Sequence, residues 1–168
     1  MKLQKINKKS HIALALIVLF GPFVTAVALW IKINTLYHWS FFAITSISIF
    51  TYFILLFFLN RRLVNINGKY LNIRTTFYRY SLNISEISEL KIARKDEESL
   101  IGIRINGIGL PGYRSGWFKV KNAQGKIFVD VSSSDFVQVY VKNNPAVALG
   151  FVDNKKAVDI LKNFKEVQ

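Results

Sequence analysis

Two unbroken apolar runs, followed by a long stretch in which apolar and polar residues alternate, divide this chain into two parts with different solvents. Ile12 to Ile31 reads IALALIVLFGPFVTAVALWI and Trp39 to Leu59 reads WSFFAITSISIFTYFILLFFL, and neither contains a charged residue. A bilayer core about 30 Å thick needs ~20 apolar residues of helix, so each run is long enough to span. Gly21 and Pro22 lie within the first and predict a kink, which membrane helices tolerate when neighbours satisfy the freed carbonyls. The link Lys32 to His38 leaves room only for a tight turn between antiparallel helices. Trp30, Tyr37 and Trp39 gather at that end like an interfacial aromatic belt.

After Arg62 the period falls to two. Leu63 to Ile66 and Lys69 to Phe77 flank Asn67-Gly68, a strong hairpin signal, and Leu71, Ile73, Thr75 and Phe77 alternate with polar partners as in a half-buried strand. Tyr78 to Ile84 and Glu89 to Arg94 follow, joined by a Ser85-Glu86-Ile87 corner. Ile101, Ile103 and Ile105 then alternate before Gly107, Gly109, Gly112 and Gly116, a cluster expected to interrupt the sheet. Trp117 to Lys121 and Lys126 to Ser132 flank the loop Asn122 to Gly125, and Phe136 to Lys142 and Ala146 to Phe151 flank a turn at Asn143-Asn144-Pro145. Turns about every ten residues predict a small antiparallel sandwich or barrel of about seven strands. At the end the period becomes helical. Asp153 is a good N-cap, and Ala157, Val158, Ile160, Leu161, Phe164 and Val167 share one face of a helix that would close an open end of the barrel.

Charge assigns the two parts to sides of a membrane. The net charge is +13, yet residues 1 to 85 hold ten Lys or Arg and no Asp or Glu. Lys8 and Lys9 precede the first run and Arg61 and Arg62 follow the second, so the positive-inside rule places both termini, and everything beyond Arg62, in the cytoplasm. Attraction of such flanks to anionic headgroups accounts for the basicity better than nucleic acid does. The basic start, the apolar run and Ala26-Val27-Ala28 also resemble a cleaved signal peptide. The run continues through Leu29, Trp30 and Ile31, which favours a retained span. The expected division is therefore 1–62, a membrane hairpin with spans at about 12–31 and 39–59, and 63–168, a β-rich domain.

Chemistry is scarce. There is no cysteine, and the only histidines, His11 and His38, flank the apolar runs, so thiol chemistry is excluded and the β-rich part has no histidine base. No ionisable residue lies within the spans, which argues against an ion pathway, and Thr45, Ser46, Ser48 and Thr51 are read as bonding to helix carbonyls. Ser132-Ser133-Ser134-Asp135 is read as a turn and Asp96-Glu97-Glu98 as a solvated loop. The glycine cluster lacks the spacing and the following helix of a P-loop. Its glycines are better explained by positive φ or close backbone approach, with Arg104 and Arg114 the nearest cations. No cofactor, metal or catalytic residue is expected.

Strands followed by one amphipathic helix resemble a pleckstrin-homology (PH) fold. Arg104-Ile105-Asn106-Gly107 with Leu110-Pro111-Gly112-Tyr113-Arg114-Ser115-Gly116-Trp117-Phe118 resembles the bacterial PH domain family. The resemblance implies a non-enzymatic module, often attached to a small membrane hairpin, and does not imply a ligand. The loop after the first strand carries only Lys69, too little for the basic inositol-phosphate signature of eukaryotic PH domains. The expectation is a membrane-anchored binding or scaffold module with a protein partner. Its alternative is a lipid-headgroup or small-anion sensor, with Arg104, Gly112, Tyr113, Arg114, Gly116 and Trp117 as the ligand or partner surface.

Overall fold

The computed structural model describes residues 1–32, 38–94, 100–121, 123–132 and 135–166. Two long apolar helices come first: α1 (Lys8–Ala15) continues through a π turn (Leu16–Phe20) into α2 (Gly21–Lys32), and α3 (His38–Asn60) follows. Both are long and apolar enough to cross a membrane by length and composition. Next to Gly21-Pro22, where a kink is expected, the helix carries the π turn. The N–H of Gly21 reaches back five residues to the carbonyl of Leu16, which widens the helix just where the ring of Pro22 would strike the carbonyl four residues earlier. Thr25, Thr45 and Ser48 donate to the carbonyls of Gly21, Phe41 and Ile44 at 2.8–3.0 Å. The turn joining the helices lies outside the described residues, as do Tyr37 and the side chain of Trp30.

The rest is a β-sandwich of two sheets, with nine strands among the described residues rather than about seven. β1 (Leu63–Asn67), β2 (Tyr70–Arg74) and β3 (Arg79–Asn83) form a three-stranded antiparallel meander. β4 (Ile87–Arg94), β5 (Ile101–Leu110), β6 (Tyr113–Val120), β7 (Lys126–Val131), β8 (Asp135–Val141) and β9 (Asn144–Leu149) form the second sheet in the order β4-β8-β9-β7-β6-β5. That sheet is not wholly antiparallel, because β9 inserts between β8 and β7 and runs parallel to β7. The inserted hairpin turns at Lys142-Asn143, which take φ of 49° and 64°, one position earlier than the sequence suggests. Pro145 therefore lies within β9, at a register shift where its missing N–H is tolerated. A second correction concerns the glycine cluster, which does not interrupt the sheet: β5 runs on to Leu110 and turns at Pro111-Gly112 into β6. β2, by contrast, stops at Arg74. The N–H of Thr75 bonds to the carbonyl of Tyr78 across a tight turn, leaving Phe77 half exposed instead of facing the core.

One core joins both sheets: Val64, Leu71, Ile73 and Leu82 pack with Phe128, Val137, Val139, Val147 and Leu149. On the other face of the large sheet, residues from all six of its strands, among them Ala93, Ile101, Phe118, Val129, Phe136 and Ala148, form a second core around which the sheet curls. Helix α4 (Asn154–Glu166) packs on β4 and β8 through Ala157, Val158 and Leu161. Asp153 caps it as expected, accepting from the N–H of Lys156 at 2.9 Å. Phe164, assigned from sequence to the buried face, is nearly half exposed, and Val167 lies outside the described residues.

The first residues of the chain belong to this body as well. The N–H of Gln4 donates to the carbonyl of Gly150 and that of Val152 to the carbonyl of Lys2, so that Leu3 bridges Phe151 and is buried in the shared core.

Candidate functional site

The described chemistry gathers where α3 ends and β1 begins. Arg61 and Arg62 lie between the end of α3 and β1, the N–H of Arg61 still bonding to the carbonyl of Phe58 at 3.2 Å, and their side chains part. Arg61 stays exposed and lies over the ring of Phe57, 5.2 Å from its centroid. Arg62 turns inward. Its Nε donates to both carboxylate oxygens of Asp130 at 2.8 and 3.1 Å, and its Nη1 donates to the carbonyl of Gln4 at 2.7 Å. The side chain of Arg62 is 5% exposed and that of Asp130 fully buried. Burial holds the Asp130 carboxyl above the ordinary carboxylate range, although Arg62 and Tyr113 pull it down. One of the four charges counted as membrane flank is thus neutralised inside the protein, while Lys8 and Lys9 stand exposed in the first turn of α1.

Tyr113 completes the junction. Its ring lies 5.0 Å from the Arg62 guanidinium, its hydroxyl meets that of Thr76 at 2.9 Å, and it packs with Leu14 and Leu59 of the long helices. Burial pushes its phenol pKa upward. The tip of the β5–β6 hairpin is latched to the start of α1. Ser10, fully buried, donates to the carbonyl of Pro111 at 2.8 Å, and Gly112, at φ 81°, lies against Asn7, which caps α1. Ile108 and Leu110 of the same hairpin join Leu14 and Leu59 in an apolar cluster.

The residues singled out from the sequence therefore separate. Gly112 and Tyr113 sit in the contact with the helices, and Gly116 lies inside the hairpin beside Gly107. Trp117 is half buried against Tyr80 and Phe128, with Lys126 over its ring. Arg104 and Arg114 do come together. Arg114 pairs across the ladder with Gly109, and a Cβ built on Gly109 would lie 3.6 Å from Nη1 of Arg104, so both arginines occupy that face. Asp96, Glu97, Glu98, Ser133 and Ser134 lie outside the described residues. Among those described, no group of three or more His, Asp or Glu could hold a metal ion. Sequence reasoning passed over Asp130, Gln4 and Thr76. The signal for the first was present, since Asp130 is a lone acid within the otherwise continuous apolar run Ile127 to Val131.

A hairpin, a curled sheet, a glycine-rich ladder and a closing helix form a setting that comparison with protein families makes specific. Residues 63–150, more than half the chain, match the family described as Bacterial PH domain. The chain belongs to the bacterial PH domain family. No curated protein and no solved structure matches it. In this PH domain protein the matched region begins at β1, just past Arg62, and ends as β9 gives way to the segment that pairs with Lys2–Gln4.

Proposed function

We propose that this protein is a non-catalytic binding and scaffold module, held at the cytoplasmic face of a membrane by a two-span hairpin and engaging a protein partner. PH domains are generally non-catalytic binding modules, which supports the first half of that reading. Its membrane half is carried by the pairing of Lys2 and Gln4 with Gly150 and Val152. That pairing makes the segment before α1 and the domain after α3 one body, so the helices between them leave and re-enter the same side. Ile12, Ile17, Phe20, Phe42, Phe50 and Phe57 each expose 60% or more of their surface, which suits lipid and not water. Cleavage after Ala28 would remove Leu3 from the core, which supports retention of both spans. The division at 1–62 and 63–168 stands in this reading, with Leu3 lent to the second part.

For the partner, the outer strand β5 offers Ile103 and Ile105, 77% and 52% exposed, on an edge whose ladder to β6 is irregular between Ile101 and Asn106. Two predictions test this. A single cysteine replacing exposed Lys155, in a chain with none of its own, should react with an impermeant maleimide only after the cells are permeabilised. Labelling of intact cells would overturn the sidedness. A photocrosslinker at Ile103 should capture a protein in native membranes, and Ile105→Asn should abolish the adduct while changing stability by less than about 0.5 kcal/mol. A chain that gives no protein adduct from this edge would remove the partner from β5.

A further inference from the structure

The outer face of the three-stranded sheet carries a cationic row at the level where α3 ends. Ladder register places Leu63, Arg74 and Arg79 side by side across β1, β2 and β3. Two arginines directly opposite each other on a sheet repel, and the tight turn from Thr75 to Tyr78 holds these two together. Arg61, just past the end of α3, adds a third guanidinium close enough that it, with burial and Arg79, lowers the pKa of Arg74. None of the three has an ion pair among the described residues.

The row also sits at headgroup depth if α1 to α3 span a membrane, a reading on which this inference rests. Phe77, at the tip between Arg74 and Arg79, is half exposed, and its ring lies 5.5 Å from that of Phe58 near the end of α3. Leu63, first in the row, is also largely exposed. The next row outward, ~7 Å further along the strands, holds Asn65, Asn72 and Ser81, with Ser81 donating to Asn72 at 2.9 Å. Together the two rows border an open cleft of about 370 Å³.

We propose that Arg74 and Arg79 hold the phosphate of an anionic phospholipid headgroup, with Arg61 nearby adding to the positive field, and that Asn65, Asn72 and Ser81 meet the rest of its polar part. Guanidinium groups suit a phosphodiester because each can offer two parallel N–H donors to its oxygens. A bound phosphate would also relieve the repulsion between Arg74 and Arg79. The apolar flank of Leu63 and Phe77 favours a lipid over a free phosphate. Such a site would fix the rotation of the PH domain against the bilayer, which the two helices alone do not.

The test is native mass spectrometry of the full chain in non-ionic detergent, titrated with phosphatidylglycerol, phosphatidylcholine or glycerol 3-phosphate. The unaltered chain should bind one phosphatidylglycerol at least about tenfold more tightly than phosphatidylcholine. At roughly fivefold per basic residue near a headgroup, R74Q/R79Q should weaken that binding by about 30-fold. Lys8→Gln with Lys9→Gln, or Arg104→Gln with Arg114→Gln, should change it by less than about threefold. Equal losses from those pairs would reduce the effect to diffuse attraction and overturn the site. Competition by glycerol 3-phosphate at the same concentration would assign it to a small anion and overturn the lipid. Absence of any headgroup preference in a chain that still resists alkaline extraction from membranes would refute the site and leave the anchor standing. Should the double variant not fold, Arg79→Gln alone, at an exposed position, carries the measurement.

Discussion

Replacing Asp130 with alanine is expected to cost about 3–5 kcal/mol of folding stability, because it leaves the Arg62 guanidinium buried without its counter-charge. The carbonyl of Gln4 is then its remaining partner, since Nη2 has none among the described residues. Asp130→Asn keeps the shape and one acceptor, so its cost should be smaller. Thermal unfolding in detergent, followed by circular dichroism, should place Asn close to wild type, because burial disfavours the charged carboxylate, and Ala well below both. The pH dependence has a definite sign. Burial raises the folded pKa of Asp130 above its unfolded value near 3.9. Stability linked to this group is therefore complete below that unfolded value and is lost as pH rises through the folded one. Acidification should not unfold the protein through Asp130, and a wild-type stability that fell in acid while D130N stayed flat would contradict this. Because Arg62 leaves α3 and Asp130 lies in β7, the same substitution should also free the domain from the helices, visible as faster proteolysis at residues 61–63.

The sequence made the order of elements readable because the period of its apolar positions changes twice, at Arg62 and again at Asp153. What it could not convey was contact between parts distant along the chain. Leu3 looked like one apolar residue in a basic flank, and only its bridge to Phe151 shows that it belongs to the core. Arg62 read as a flanking charge because its counter-charge lies 68 positions away. The parallel pairing of β7 with β9 is equally invisible to a local pattern, since alternation is the same in either direction. The glycine cluster misled for another reason: glycine is a turn signal in isolation, but Gly107 and Gly116 face each other within one ladder, where the need is for close backbone approach and not for a break.

That pairing makes Gly116→Ala the second large effect expected. Gly116 adopts φ 116°, which side-chain-bearing residues rarely reach, and an added Cβ would run into the carbonyl oxygen of Asn106 and come within 2.7 Å of the Gly107 Cα. Those atoms are backbone of the neighbouring strand and cannot swing aside as a flexible side chain would. The Tyr78 ring, 3.1 Å away, closes the other side and is held by its hydroxyl bond to Asn106. Strain in φ at ~1–3 kcal/mol and overpacking of similar size together give a loss of about 3 kcal/mol or more. For a domain near 100 residues that is a fall in Tm of more than about 10 °C. Gly109→Ala in the same hairpin is the internal control. Its φ lies outside the left-handed region and its Cβ would meet only the end of the Arg104 side chain at 3.6 Å, so it should leave Tm within a few degrees. If both variants lowered Tm alike, the close approach at Gly116 would not be what holds the hairpin. If only Gly116→Ala did so, and Ile108 and Leu110 lost protection from hydrogen exchange with it, then docking of the hairpin tip on α1 and α3 depends on this one crossing of bare backbone.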